Sequence, residues 1–146
     1  MRSLRKGRTL HLLDIENLTA SAIPSTQQVE EVMTAYRRLV PAGPMDQIIV
    51  GMNPRSMVPV GIALPGARIL IRSGPDGADS ILTETALNDR IDFRFERTVI
   101  GSGDGYFAEL AHWLTAAGSH VTVVTRTGSL SWRLYTATED IAFLAA

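Results

Sequence analysis

The chain has 146 residues, a length typical of one domain with a sizeable buried core. Its 20% charged content and net charge of −1 exclude a strongly basic field over the whole surface. The absence of cysteine excludes disulfides and thiolate metal sites. No apolar run is long enough to cross a bilayer, so we expect a cytoplasmic protein with no membrane partner.

The first strand follows a short basic arm, residues 1–8, which contains Arg2, Arg5, Lys6 and Arg8. A solvated terminus is the simplest interpretation of that arm. Residues 9–13 (TLHLL) are almost wholly apolar and predict a buried central strand. We expect His11 to be a packed strand residue, because no second histidine is near it in the sequence. Two acids, Asp14 and Glu16, follow directly where this strand ends.

Helix and strand patterns alternate along the rest of the chain. Ser25 is expected to cap a helix that runs to about Val40, with Gln28 completing a capping box. A weak helix is expected from Asn53 to Val60. Further strands are predicted at 47–50, 68–71, 96–100 and 120–124, with a short edge run at 141–144. This alternation is typical of a doubly wound α/β domain with a mainly parallel sheet of about five strands, spanning residues 1–146.

Two further segments put acids after strands. The loop that follows the third strand holds Asp76 and Asp79, and we expect Asp79 to open a helix that runs to about Asn88. The stretch VIGSGDGYF puts Asp104 in a glycine-rich turn after the fourth strand. One such acid alone would be interpreted as a helix cap.

Asp14, Asp79 and Asp104 come from three separate segments, yet all follow the carboxyl ends of parallel strands. Ligands of open α/β sheets bind at that edge. Three capping acids so close together would repel one another and destabilise the fold. A hard divalent cation removes that repulsion, and carboxylates are ligands that Mg²⁺ and Mn²⁺ prefer. The sequence therefore predicts a site for Mg²⁺ or Mn²⁺.

The segments LLDIENL, GADSIL and VIGSGDGYF, together with Ser129, Ser131, Leu134 and residues 140–143, resemble in order and spacing the NYN family of PIN-like ribonuclease domains. The resemblance implies a three-layer α/β/α fold and metal-dependent cleavage of single-stranded RNA. It implies that Asp14, Asp79 and Asp104 form the acidic cluster, that Asn17 is a polar partner, and that Ser102 orients the acids.

The chain departs from the family at Tyr106, where the pattern S-G-D-x-D-F has a second acid. Asp76 and Glu16 are candidates to replace that acid. Tyr106 itself has two open interpretations, stacking on an RNA base or burial against the neighbouring helix. For the RNA backbone, Arg72, Arg126 and the basic arm are candidate contacts, although an ordinary surface position is the simpler interpretation of each.

Other α/β hydrolases fit less well. Phosphatases of the haloacid dehalogenase type and receiver domains need a late lysine, and Lys6 is the only lysine. A G-x-S-x-G nucleophile elbow is absent. A glycine-rich phosphate loop would follow the first strand and would not carry an acid at its centre. The alternative that stays open is a decayed PIN-like module that binds RNA, a protein partner or a second copy of itself.

Overall fold

Six parallel strands form one sheet in the computed structural model, which describes residues 5–145. The strand order is β3-β2-β1-β4-β5-β6. The strands are β1 (Thr9–Asp14), β2 (Gln47–Met52), β3 (Arg68–Ile71), β4 (Arg97–Gly101), β5 (His120–Arg126) and β6 (Asp140–Leu144). The prediction of about five strands was therefore one short. Residues 140–144 pair with β5 from Thr122 to Arg126 and form a full edge strand.

Seven α-helices connect these strands within residues 5–145: α1 (Ile15–Thr19), α2 (Thr26–Leu39), α3 (Met57–Ala63), α4 (Gly77–Asn88), α5 (Ile91–Arg94), α6 (Ala108–Ala116) and α7 (Trp132–Tyr135). Short 3₁₀ turns lie at Pro54–Ser56 and Gly105–Phe107. The predicted capping box is confirmed, since Ser25 and Gln28 each accept a hydrogen bond from the other's backbone N–H. No helix in the described part of the chain is long and apolar enough to span a membrane.

Helices cover both faces of the sheet, which gives the three-layer α/β/α architecture. Side chains alternate along β1, so Leu10 and Leu12 enter one core while Leu13 enters the other. The first core packs against α4, α6 and α7, and the second packs against α1, α2 and α3. All but the first residue of β1 and of β4 are buried, as expected for central strands that are covered on both faces.

His11 is a packed strand residue, as predicted. Its ring nitrogens lie 2.6 Å from the Tyr36 hydroxyl and 2.8 Å from the Asp46 carboxylate, so both are hydrogen-bonded in the interior. Burial lowers the pKa of the His11 imidazole. This network lies near the amino ends of the strands, since Asp46 immediately precedes β2 and also accepts from the Thr9 N–H.

The centre of the sheet is the point at which the strand order reverses. β1 pairs with β2 on one side and with β4 on the other, so chain segments leave the carboxyl end of β1 and of β4 side by side. A crevice forms at such a switch point, because the connections on either side run to opposite faces of the sheet. The strands that lead to Asp14 and Asp104 are therefore direct neighbours in the sheet.

Candidate metal centre

Four acids meet in the crevice at the carboxyl edge of the sheet. Asp14 is the last residue of β1, and Asp104 lies in the loop between β4 and the 3₁₀ turn. Asp79 is in the first turn of α4, which follows β3. Asp76 immediately precedes α4. Side chains from three loops thus reach one place although up to 90 residues separate them in the chain.

Three of these acids form the tightest group. Carboxylate oxygens of Asp76, Asp79 and Asp104 all lie within 4.8 Å of one another, a spacing that one metal ion can bridge. Asp14 is outside this group, but it lines the same cleft and contributes to the raised pKa of Asp79. The sequence named Asp14, Asp79 and Asp104 as the main cluster, with Asp76 as a candidate replacement. The structure puts Asp76, and not Asp14, in the tightest group.

Burial makes the site electrostatically unusual. Asp79 and Asp14 are only 4% and 5% exposed. Burial, followed by hydrogen bonds and charge repulsion from Asp14 and Asp104, raises the pKa of Asp79 to about 9. Burial also raises the pKa of Asp14. Three ionised carboxylates cannot be held this close without a counter-charge, so in the absence of a cation a proton occupies the cluster.

Two polar side chains hold the acids in position. Ser102 is fully buried; its hydroxyl donates to Asp14 Oδ2 at 3.4 Å and accepts from the Asp104 N–H at 3.2 Å. Asn17 Oδ1 accepts from the Gly103 N–H at 3.1 Å, which ties the residues after β1 to the loop after β4. Ser102 and Asn17 thus fix the loop after β4 against the residues at the end of β1.

Helix capping explains part of this arrangement but not all of it. Asp14 accepts from the Asn17 N–H at 3.4 Å, and Asp104 accepts from the Tyr106 N–H at 2.9 Å. Asp79 lies inside α4 and caps nothing. Asp76 holds the cap position of α4 in a left-handed conformation (φ 56°), which explains why α4 begins at Gly77 and not at Asp79. Its side chain makes no cap hydrogen bond.

The acids line an open cleft of about 390 Å³. Glu16 also lines it, but its carboxylate accepts from the Asn53 N–H at 3.2 Å and is less free to bind a ligand. Arg72 forms part of the wall and pairs with Glu84 at 2.7 Å. Sequence reasoning missed Asn53 as a cleft residue. The available signal was its position directly after β2, the strand beside β1.

Tyr106 does not line the acidic cleft in the described structure. It is 41% exposed on the rim, with its ring edge-on to Phe107, so the alternative of burial against the neighbouring helix is wrong. The stacking interpretation stays a prediction. The hydrogen bond to Glu84 raises the pKa of Arg72, which does line the cleft.

The remaining predicted basic contacts lie away from the cleft. Arg126 Nε donates to the Asn17 carbonyl oxygen at 2.8 Å, and its side chain borders a different cavity of about 550 Å³ beside Arg38. In the basic arm, Arg5 donates to the Phe95 carbonyl and Arg8 lies over the Phe95 ring, at the opposite edge of the sheet. Arg2 is outside the described residues. Among the predicted arginines within residues 5–145, Arg72 is the one that lines the acidic cleft.

Comparison with known proteins supports the fold and no more. The sequence matches no protein-family model and no curated protein. It is similar in structure to a crystallised protein of unknown function from Vibrio parahaemolyticus, with a TM-score of 0.69 over 99% of this chain and 97% of that chain. The two sequences are 16% identical, so the likeness concerns the arrangement of helices and strands and not an activity.

Proposed function

We propose that this chain is a metal-dependent ribonuclease of the NYN type that cleaves phosphodiester bonds of single-stranded RNA. The observation that carries the proposal is the convergence of Asp76, Asp79 and Asp104 within 4.8 Å, with the buried Asp14 beside them. Repulsion between so many acids in one crevice destabilises the fold, so stability alone does not explain their convergence. The agreement in order and spacing with the NYN motifs supports the same reading.

The donor set fits Mg²⁺ or Mn²⁺. All candidate ligands are carboxylate oxygens, the type that hard divalent cations prefer, and the open cleft leaves room for water and substrate. Asp79 and Asp104 would hold the ion together with Asp76 or Asp14. When bound, such an ion supplies charge neutralisation at the phosphate and lowers the pKa of a coordinated water.

The chain's own residues prepare the cleft for this chemistry. Ser102 and Asn17 keep the acids in place through hydrogen bonds to Asp14 and to the backbone of Gly103 and Asp104, so little reorganisation is needed on binding. Arg72 lies on the cleft wall and offers a guanidinium for a neighbouring phosphate once it exchanges Glu84 for the RNA. Because the Arg72–Glu84 pair is exposed, that exchange costs little.

Cleavage of one labelled single-stranded RNA in saturating Mn²⁺ tests the proposal. Wild-type protein should cleave, and Asp104→Asn and Asp79→Asn should lose at least a hundred-fold in rate, since each removes a charged ligand. The matched control is Glu139→Gln, which neutralises an exposed acid at the other edge of the sheet. Cleavage by Asp104→Asn at the wild-type rate would assign the activity to another site or to a contaminant.

A second candidate function is an RNA- or protein-binding module whose catalytic site has decayed. The specific observation in its favour is Tyr106, a neutral exposed phenol at a position where the family has an acid. Binding of RNA by the wild type without cleavage, combined with cleavage by Tyr106→Asp, would support this candidate. For either function we propose a cytoplasmic location, where single-stranded RNA is available. Association with a protein partner or with a second copy of the chain is compatible with either function.

A further inference from the structure

Two large aromatic side chains stack on each other at the surface of α7. The ring centroids of Trp132 and Tyr135 are 5.3 Å apart and their planes are inclined by only 19°, so the two rings lie nearly parallel in a stack. Trp132 is 74% exposed and Tyr135 is 52% exposed. We refer to these two residues as the aromatic pair.

Folding does not account for the aromatic pair. Burial of the rings in a core would stabilise the protein, and the neighbouring Leu134 on the same short helix is fully buried in that way. The other tryptophan of the chain, Trp113, also packs against this core. With Trp132 so largely exposed, its surface away from Tyr135 is open to solvent, which is typical of a binding surface.

The aromatic pair adjoins the acidic cleft. Ser131, the residue before Trp132, donates its backbone N–H to the Gly103 carbonyl oxygen at 2.8 Å. A Cβ at Gly105 would lie 2.6 Å from the Ser131 hydroxyl oxygen, so the start of α7 packs directly on the loop that carries Asp104. The exposed Tyr106 comes next in that loop. The helix that bears the aromatic pair is therefore fixed against the loop that carries Asp104.

The exposed cation next to the aromatic pair in the sequence favours a ligand that carries both phosphates and aromatic bases. Arg133 lies between the two aromatic residues in sequence, is exposed, and forms no ion pair within residues 5–145. Its charge is thus available to a phosphate. An exposed aromatic ring beside a free guanidinium matches the usual combination in single-strand binding proteins, where bases stack on rings and the backbone meets cations.

We propose that the aromatic pair is a base-stacking subsite that binds an unpaired nucleotide of the RNA strand whose phosphodiester lies at the acidic cleft. The identification of the ligand as RNA rests on the proposed function. The subsite adds a second contact with the RNA strand, outside the acidic cleft. A paired base cannot offer its face to Trp132, because its neighbours in the duplex cover it. The subsite therefore selects single-stranded over double-stranded RNA.

Binding without cleavage tests the subsite. A labelled single-stranded RNA of about 12 nucleotides is titrated in EDTA, so that no metal-dependent reaction occurs. Trp132→Ala should weaken binding by about ten-fold, within the five- to 150-fold that one base stack is worth, and Tyr135→Ala should weaken it less. Trp132→Phe should recover most of the loss. The matched control is Phe93→Ala, which removes an exposed aromatic ring that stacks with Arg90 away from the cleft.

Fluorescence gives a second readout. In a Trp113→Phe background Trp132 is the sole tryptophan, and its emission should be quenched by the single strand but not by the same RNA in a duplex. Wild-type affinity of Trp132→Ala, equal binding of the duplex, or no binding by the wild type would overturn the proposal. Loss of a dimer in Trp132→Ala, with RNA binding unchanged, would overturn it by assigning the aromatic pair to contacts between copies.

The outcome also separates the subsite from the nuclease activity. If Asp104→Asn binds the RNA normally but the wild type never cleaves it, the proposed function fails and the subsite stands. If the wild type cleaves in Mn²⁺ while Trp132→Ala binds and cleaves as well as the wild type, the nuclease stands and the subsite fails.

Discussion

Burial and two neighbouring carboxylates strongly disfavour the ionised form of Asp79. Replacing Asp79 with asparagine removes this ionisable group. The pKa of Asp79 in the folded protein is about 9, well above its ordinary value of 3.8. Between these pH values the folded protein keeps a proton that the unfolded chain has released. The free energy of unfolding of the metal-free protein therefore falls as pH rises across this window, by up to about 1.4 kcal/mol per pH unit for one proton.

Thermal unfolding in EDTA at several pH values between about 5 and 8 measures this slope. For a chain of this size, the wild-type melting temperature should fall by up to about 3–6 °C per pH unit, and Asp79→Asn should lose most of that dependence. At the alkaline end the variant should be the more stable protein, because its amide needs no proton from solution in order to fold. The control Glu139→Gln, at an exposed position, should keep the wild-type slope.

Parallel curves for the wild type and Asp79→Asn would refute the reasoning, since they would mean that no proton is held at Asp79. A variant less stable than the wild type at every pH would refute it as well, because the carboxyl group would then stabilise the metal-free fold.

Three further predictions concern the same crevice. Mn²⁺ at a hundred times its Kd should stabilise the wild type by about 2.7 kcal/mol, and Asp104→Asn should lose most of the resulting shift in melting temperature; equal shifts would remove Asp104 from the ligand set. Tyr106→Asp should strengthen Mn²⁺ binding in the same assay and increase RNA cleavage, and an unchanged Mn²⁺ affinity would contradict that expectation. Gly103→Ala should destabilise the fold by about 1–3 kcal/mol in urea unfolding, because its Cβ would lie 2.5 Å from the Thr125 hydroxyl oxygen and closer still to a backbone carbonyl. Gly118→Ala, which meets no atom within 4 Å, should cost only the strain of its positive φ, and a larger loss there than at Gly103 would contradict the packing argument.

Local patterns in the sequence were enough to predict most of the architecture. Continuous apolar runs identified the central strands, because a parallel strand covered on both faces has no polar side. Short cap signals identified the start of α2 at Ser25. The carboxyl ends of parallel strands share one edge, so the meeting of Asp14, Asp79 and Asp104 followed from strand order and needed no coordinates.

The sequence pattern was weaker where pairing partners decide the outcome. The last run of the chain, residues 140–144, is short and partly polar, and it becomes a strand because β5 offers its free edge for five residue pairs. The sequence predicted an edge run at residues 141–144, and its pairing with β5 decides that it is a full strand of the sheet. The sixth strand is therefore a consequence of tertiary pairing.

The detailed membership of the site also depended on tertiary structure. The left-handed backbone of Asp76 turns its carboxylate into the cluster, and no pattern of residue types specifies that dihedral angle. The carbonyl of Asn17 binds Arg126 and keeps it from the cleft, while the basic arm lies at the opposite edge beside Phe95. Sequence spacing determines which edge of a sheet a residue reaches, because strand direction is a property of the chain. Which oxygen meets which neighbour at that edge depends on loop conformation and on side chains from distant segments, which only the folded structure brings together.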